Sequence, residues 1–209
     1  MDMRKRMSSG ELFLDNCQNI DKERTQAKVL VVELNQLDPS LIEEKQQLIH
    51  KLLGKKTNAF IETPFHITYG TNTTFGENCY VNYNCNFIDD GQIKIGNQVL
   101  IGANVTIITV GHPINPNYRQ FMFTEEVVLK DNCWIGAGVI INSGVTIGEN
   151  SVIGSGSVVT KDIPDNCIAV GNPCRVLREI TAEDMAYYRP GKKIDDEELK
   201  EVTRVNQTT

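Results

Sequence analysis

The side chains best suited to chemistry in this chain are its three histidines and a small group of cations near one end. Neutral imidazole at physiological pH is the commonest general base in proteins. His50 falls in a helix-forming stretch and His66 near the start of a repeat, where a solvated or packed role is enough. His112 differs. It stands in Gly111-His112-Pro113, at the head of the one long interruption of that repeat, and the flanking glycine and proline restrict its backbone. Lys161, Arg175 and Arg178 gather toward one end of a chain whose formal net charge is −6. Such a cluster suits a phosphate-like anion; it is equally what solvated surface charge looks like, and charge alone leaves both readings open. No cysteine or serine has a convincing base partner, so a covalent intermediate is not expected. Nor does any glycine pattern of the Walker or dinucleotide type follow a strand and open a helix.

What must position these residues is a six-residue repeat running from about Phe75 to Val170. Its first position is Phe75, Val81, Ile95, Ile101, Ile135, Ile141, Ile147 or Ile153. The fourth is Asn78, Asn84, Asn104, Asn132, Gly138, Gly144, Asn150 or Gly156, residues that tolerate positive φ. The fifth is small or β-branched, among them Cys79, Cys85, Val99, Val139 and Ser151. One inward aliphatic, one short strand and one bend per unit make one side of a coil, and coils must stack to bury it. This is the signature of a hexapeptide-repeat parallel β-helix, a mainly β fold. A helix would need the 3.6-residue period and would suffer from so much Gly and Asn. Hairpins would alternate every second residue. The spacing gives no handedness, and right-handed crossovers are the general rule.

The chain divides into an N-terminal helical segment (1–57), the β-helix (58–175) with an extruded loop at about 109–128, and a C-terminal tail (176–209). Met7 to Gly54 reads as helical. Asp38 is the N-cap candidate of the second helix, with Pro39 at its first position and Gly54 as its stop. Leu41, Leu48, Ile49, Leu52 and Leu53 form its apolar face, with Glu43, Glu44, Lys45 and Gln47 outside. An earlier helix is expected around Arg24 to Leu37, and the pair should cover an open end or flank of the coil. The frame gains two residues near Asp89-Asp90-Gly91, which should bulge at a corner. Between Ile107 and Leu129 the period stops altogether, and a loop thrown out from a rigid coil is where function usually sits.

Composition excludes several classes. No apolar run approaches a bilayer span, and Met1 to Phe13 has no apolar core of a secretory signal. Cys79, Cys85, Cys133 and, after a frame slip, Cys167 fall on the small inward position, and no CxxC pair exists. A reduced, cytoplasmic protein is therefore expected. The acidic balance argues against nucleic-acid binding, and no membrane partner is expected.

The motifs together resemble those of the maltose/galactoside O-acetyltransferase family of left-handed β-helix acyltransferases. The likeness covers almost the whole chain: TYGTNTTFGENCYVNYNC, IDDGQIKIGNQVLIGANVTI, GHP, WIGAGVIINSGVTIGENSVIGSGSVVTKDIP and AVGNPCRVLREI. The resemblance implies a left-handed coil, a homotrimer with active sites between subunits, and direct acetyl transfer from acetyl-CoA, without a metal, to a sugar or glycoside hydroxyl. It makes His112 the general base and gives the acceptor Asp15, Thr68, Asn82, Asp90 and Met122. Coenzyme A would lie along the coils near Ala137, Ser155, Thr160, Lys161, Arg175 and Arg178, with Trp134 shaping the wall and an amide, at Ala137, as oxyanion donor. Thr68 stands where galactoside enzymes carry serine, and Met122 where many relatives carry glutamate. A metal hydrolyase resembling the γ-class carbonic anhydrases would need three histidine ligands around each site, and His50 and His66 lie outside the clean repeat, so it fails on ligand count. A xenobiotic acetyltransferase of the same fold would lack the long N-terminal helical segment. A non-catalytic scaffold leaves GHP, the loop and the basic cluster unexplained.

Overall fold

Asparagine and glycine set the corners of the coil. In the computed structural model, which describes residues 2–197 and 199–200, Asn78, Asn84, Asn104, Asn132 and Asn150 take φ between 58° and 61°. Gly138, Gly144 and Gly156 take φ of 69–77° at the equivalent place. Gln98 (φ 56°) and Asn166 (φ 57°) adopt the same bend, although neither stood out in the repeat. Asparagine tolerates this region because its short amide finds local partners. Here the amides stack: Asn132 Nδ2 donates to Asn150 Oδ1 at 3.2 Å, and Asn150 Nδ2 to Asn166 Oδ1 at 2.9 Å.

Between corners lie three parallel sheets. The first stacks Phe60–Ile61, Tyr80–Val81, Leu100–Ile101, Trp134–Ile135, Val152–Ile153 and Cys167–Gly171. The second stacks Phe65–Ile67, Cys85–Ile88, Thr106–Ile108, Ile140–Ile141 and Val158–Val159. The third stacks Thr73–Phe75, Ile93–Ile95, Val127–Leu129 and Thr146–Ile147. The expected mainly β, parallel β-helix is what forms. In-register pairing places Val81, Ile101, Ile135 and Ile153 above one another, each 0–1% exposed. The inward cysteines bond across coils: Cys79, Cys85 and Cys133 thiols donate to the Gly96, Gly102 and Gly148 carbonyls. All six cysteines are free.

Of three N-terminal helices, α1 (Met3–Ser8) packs on α2 (Gln18–Gln36) and on Phe123–Thr124, while α2 and α3 (Ile42–Leu53) close the first coil. Ala27, Val31 and Leu34 of α2 join Ile49, Leu52 and Leu53 of α3 over Ala59, Ile61 and Phe65. Asn35 caps the open sheet edge. Its amide accepts from Phe65 N–H at 2.9 Å and donates to Phe65 C=O at 2.8 Å, the two groups a missing coil would have served.

Several local expectations are corrected. The chain is not continuously helical from Met7 to α2: α1 ends at Ser8, residues 11–17 are irregular, and Phe13 pairs with Met122. Asp38 does not cap α3; it accepts from the Ser40 N–H and hydroxyl in a turn, and the helix starts at Ile42 behind Leu41. Lys45 is buried, its ammonium 4.5 Å from the Phe60 ring centroid and 3.4 Å from Glu62, because a long stem fills the gap under the first coil. Gly54 ends α3 in the left-handed conformation, as expected. Past the last coil, Cys174–Glu179 folds back antiparallel on Cys167–Gly171, followed by a short helix α4 (Ala182–Ala186). No helix among the described residues is long and apolar enough to cross a membrane.

Candidate active site

The loop carrying His112 leaves the coil after Thr106–Ile108 and rejoins it at Val127–Leu129, and it is sewn down along its length. Val110–Gly111 pairs antiparallel with Phe123–Thr124. A Cβ at 111 would stand 2.8 Å from the Phe123 ring, so any other residue there would displace that ring. Asn115 caps the turn Pro116–Tyr118 by accepting from Asn117 N–H at 3.1 Å. Met122 and Phe13 exchange both backbone hydrogen bonds, at 2.9 and 3.0 Å, and the Thr124 hydroxyl donates to the Met7 carbonyl at 2.6 Å. The irregular N-terminal stretch thus becomes the floor of the loop.

The His112 imidazole is exposed, with Nδ1 2.7 Å from the Arg119 carbonyl oxygen and 3.0 Å from that of Phe121. A carbonyl only accepts, so Nδ1 carries the proton and donates it to these oxygens. Nε2 keeps its lone pair, in the tautomer a general base requires. No thiol or hydroxyl bonds to this ring among the described residues. The buried thiols are poor nucleophiles besides: burial pushes Cys85 up to about 11 and Cys133 up to about 12.

Of the acceptor candidates, Asp15, Asp90 and Met122 meet in one neighbourhood. Asp15 binds the Arg24 guanidinium at 2.6 Å in the stretch leading into α2, and Arg24 also holds Asp21. Asp90, 7% exposed, lies at the widened corner of the second coil. Burial raises its carboxyl above the usual range, the Arg24 charge opposes this, and Asp15 adds to it. The Asp89-Asp90-Gly91 insertion widens the corner but turns inward rather than bulging into solvent. Asp89, fully buried, accepts from Tyr69 N–H (2.7 Å), Gly70 N–H (2.9 Å) and the Thr73 hydroxyl (3.1 Å). Met122 packs at 8% exposure with Met7, Phe13, Ile20 and Tyr69, more core than wall. Thr68, half-buried, directly precedes Tyr69, and Asn82 lies apart, with the strand Cys85–Ile88 between it and Asp90.

The coenzyme candidates follow successive coils. Trp134 is 56% exposed on the first sheet, below Leu100 and above Val152. Ala137 and Ser155 occupy equivalent exposed corners one coil apart, and the Ala137 amide donates to nothing among the described residues. Thr160 and Lys161 are exposed after Val158–Val159, and Lys161 has no ion-pair partner among the described residues. Among the described residues the Arg175 guanidinium hydrogen-bonds only to its neighbour's carbonyl, at 2.7 Å. Arg178 is already engaged: Asp184 grips it at 2.6 and 2.8 Å. An unspent amide, an exposed indole and cations without an ion-pair partner among the described residues, on successive coils, suit a long thioester ending in phosphates. Among the described residues no three His, Cys, Asp or Glu side chains converge as a metal site.

Sequence reasoning missed Arg24, which binds Asp15 and whose charge acts on Asp90, and Tyr69, whose buried hydroxyl has no partner among the described residues. It also missed the carbonyl grip on His112. None of these carries a local signal; each depends on residues distant in the chain.

Comparison with known proteins agrees with this geometry. Residues 6–57 match the maltose acetyltransferase hexapeptide capping motif, and residues 126–161 the bacterial transferase hexapeptide (six repeats). A galactoside O-acetyltransferase of Escherichia coli K12 is 42% identical over 198 residues, 93% of this chain and 98% of its own. A solved galactoside acetyltransferase in complex with coenzyme A superposes with TM-score 0.90 at 42% identity, covering 94% of this chain and all of that one. A maltose O-acetyltransferase from Clostridium difficile 630 superposes with TM-score 0.85 at 41% identity over 87% and 98%. With its capping helices and its coil matched along nearly the full length, the chain belongs to the maltose/galactoside O-acetyltransferase family of hexapeptide-repeat acyltransferases.

Proposed function

We propose that this protein is an acetyl-CoA-dependent O-acetyltransferase that acetylates a hydroxyl of a sugar or glycoside by direct transfer. The observation that carries the mechanism is the double carbonyl grip on His112 Nδ1, which leaves Nε2 free to accept a proton. Nε2 takes the acceptor hydroxyl proton as that oxygen attacks the thioester carbonyl. The Ala137 amide stabilises the resulting oxyanion. Collapse breaks the C–S bond, and the imidazolium proton is available to the departing sulfur. General-base catalysis typically contributes ~10²–10⁴-fold, and one oxyanion donor about 10²–10³-fold.

The acceptor reading draws on the relatives' names together with the Asp15–Arg24–Asp90 cluster, which offers charged hydrogen-bonding groups suited to a polyol. Asn82 lies apart from this cluster, which is one reason to propose a homotrimer whose sites are completed by a second subunit. Leu100 and Trp134, 49% and 56% exposed, are apolar surface such assembly would cover. A reducing, cytoplasmic setting belongs to the same proposal, and six unpaired thiols in the chain support it. The test is an acceptor screen in which acetyl-CoA-dependent thiol release is read across free sugars, glycosides and antibiotic alcohols, beside light scattering. Release with antibiotics alone overturns the sugar reading, and activity from a monomer overturns the shared site.

A further inference from the structure

Beyond the last coil lies a segment the reaction above leaves unused. Tyr187–Arg189 pairs antiparallel with Lys192–Lys193, and the hairpin Tyr187-Tyr188-Arg189-Pro190-Gly191-Lys192-Lys193 is aromatic and basic in a chain of net charge −6. It is fastened to the coil end by Asp184. That carboxylate grips Arg178 through both oxygens and also accepts from the Thr181 N–H at 2.7 Å, in the capping box of α4. Between hairpin and coil end is a cavity of about 510 Å³, walled chiefly by Arg178, Asp184, Tyr187, Tyr188 and Arg189.

The charges are unevenly satisfied. Arg178 is neutralised by Asp184, whereas Arg189, Lys192 and Lys193 have no carboxylate partner among the described residues. Arg189 lies over the Tyr188 ring, 5.7 Å from its centroid, which leaves its guanidinium edge open to an anion. Glu183 also lines the cavity, so the wall itself is balanced and the excess positive charge comes from the two lysines of the hairpin. Tyrosine faces beside unpaired cations suit a purine carrying a phosphate monoester.

We propose that this cavity receives the nucleotide end of the coenzyme, with its 3′-phosphate on Arg189, Lys192 and Lys193 and its adenine against Tyr187 or Tyr188. The strand Cys174–Glu179, which holds Arg175, leads through Arg178 to the cavity. This inference rests on the coenzyme reading above and adds a second, separately removable anchor to it.

The experiment is isothermal titration of the full chain with coenzyme A and with 3′-dephospho-coenzyme A, which differ only in the phosphate in question. Wild type should bind coenzyme A about tenfold more tightly, the scale of one charge-assisted phosphate contact. In the Arg189→Gln/Lys192→Gln/Lys193→Gln variant, coenzyme A should fall to the level of its dephospho form, whose own affinity stays within about twofold. All three side chains are exposed, so the fold should survive, and circular dichroism checks it. Tyr188→Ala should weaken both ligands together. A wild type that does not discriminate, or a triple variant that still does, overturns the hairpin site. Lys161→Ala and Arg175→Ala separate the two readings. Discrimination lost in those and kept in the hairpin variant puts the phosphate on the coil and overturns the proposal. The opposite pattern supports the hairpin and removes the coil contacts.

Discussion

His112 is held by a carbonyl and not by a carboxylate: its Nδ1 lies 2.7 Å from the Arg119 main-chain oxygen. The two carbonyls fix the tautomer without a negative partner and leave Nε2 free. Replacing it with alanine should leave the coil and coenzyme binding intact and lower kcat by ~10²–10⁴-fold. Steady-state turnover near the wild-type value would remove His112 from the mechanism.

The cations at the coil end should act on binding more than on chemistry. Lys161→Ala and Arg175→Ala should each raise the KM for acetyl-CoA with a smaller effect on kcat. Arg178→Ala should do less, because Asp184 already occupies its guanidinium. Added salt should weaken coenzyme binding in wild type and weaken it less in the variants. Equal KM across all of them returns these residues to plain surface charge.

The coil was legible in the sequence because its determinants are local and periodic. Ile101, Asn104 and Val105 each report one backbone state and one side of one strand, and the repeat restates the message in every unit. Gln98 takes the same φ from a residue with no such preference, its N–H donating to the Glu77 carbonyl of the neighbouring coil at 2.7 Å. His112 was legible for a different reason, since it heads the only long break in the period. What remained hidden is non-local. The Phe13–Met122 pairing joins segments more than a hundred residues apart, and it turns a stretch that reads as helix into a floor for the loop. Arg24 is an ordinary helix-surface residue until folding sets Asp15 and Asp90 beside it.

Asn35 offers a stability test free of the active site. Its amide closes both backbone groups of Phe65, a residue with no exposed surface. Alanine would leave a donor and an acceptor unmet beneath α2, at a cost of about 1–3 kcal/mol. Aspartate restores the acceptor but not the donor and should fall between. Urea unfolding midpoints check the order, and an alanine variant as stable as wild type refutes the capping role.

Asp89 makes a pH-dependent contribution of unusual sign for a carboxylate. Burial pushes it up to about 7, against three hydrogen bonds from Tyr69, Gly70 and Thr73 that favour the charge. A folded value above the unfolded one means the group's stabilisation is complete below about pH 4 and is lost as pH rises through about 7. Asp89→Asn should therefore lose less stability than wild type between pH 5 and pH 8. A carbon-13 titration of the Asp89 carboxyl with a midpoint near 4 contradicts this directly.

Acceptor preference should follow Phe121 and not Met122. Met122 is 8% exposed and packs with Met7, Phe13, Ile20 and Tyr69, so a glutamate there would bury a charge and lower stability before it changed selectivity. Phe121 instead lines an apolar cavity of about 430 Å³ with Leu12, Phe13, Leu14 and Tyr118, and its own carbonyl holds His112. An apolar group attached to a bound sugar therefore finds a pocket beside the base. Each buried CH₂ is worth roughly 0.8 kcal/mol, so a short alkyl or aryl aglycone should raise kcat/KM by about tenfold or more, mainly through KM. Phe121→Ala should shrink that advantage and leave the free sugar nearly unchanged, while Met122→Glu should show itself first as a lower melting temperature. Equal kcat/KM for free sugars and their aryl glycosides in wild type would leave the pocket without a part in acceptor choice.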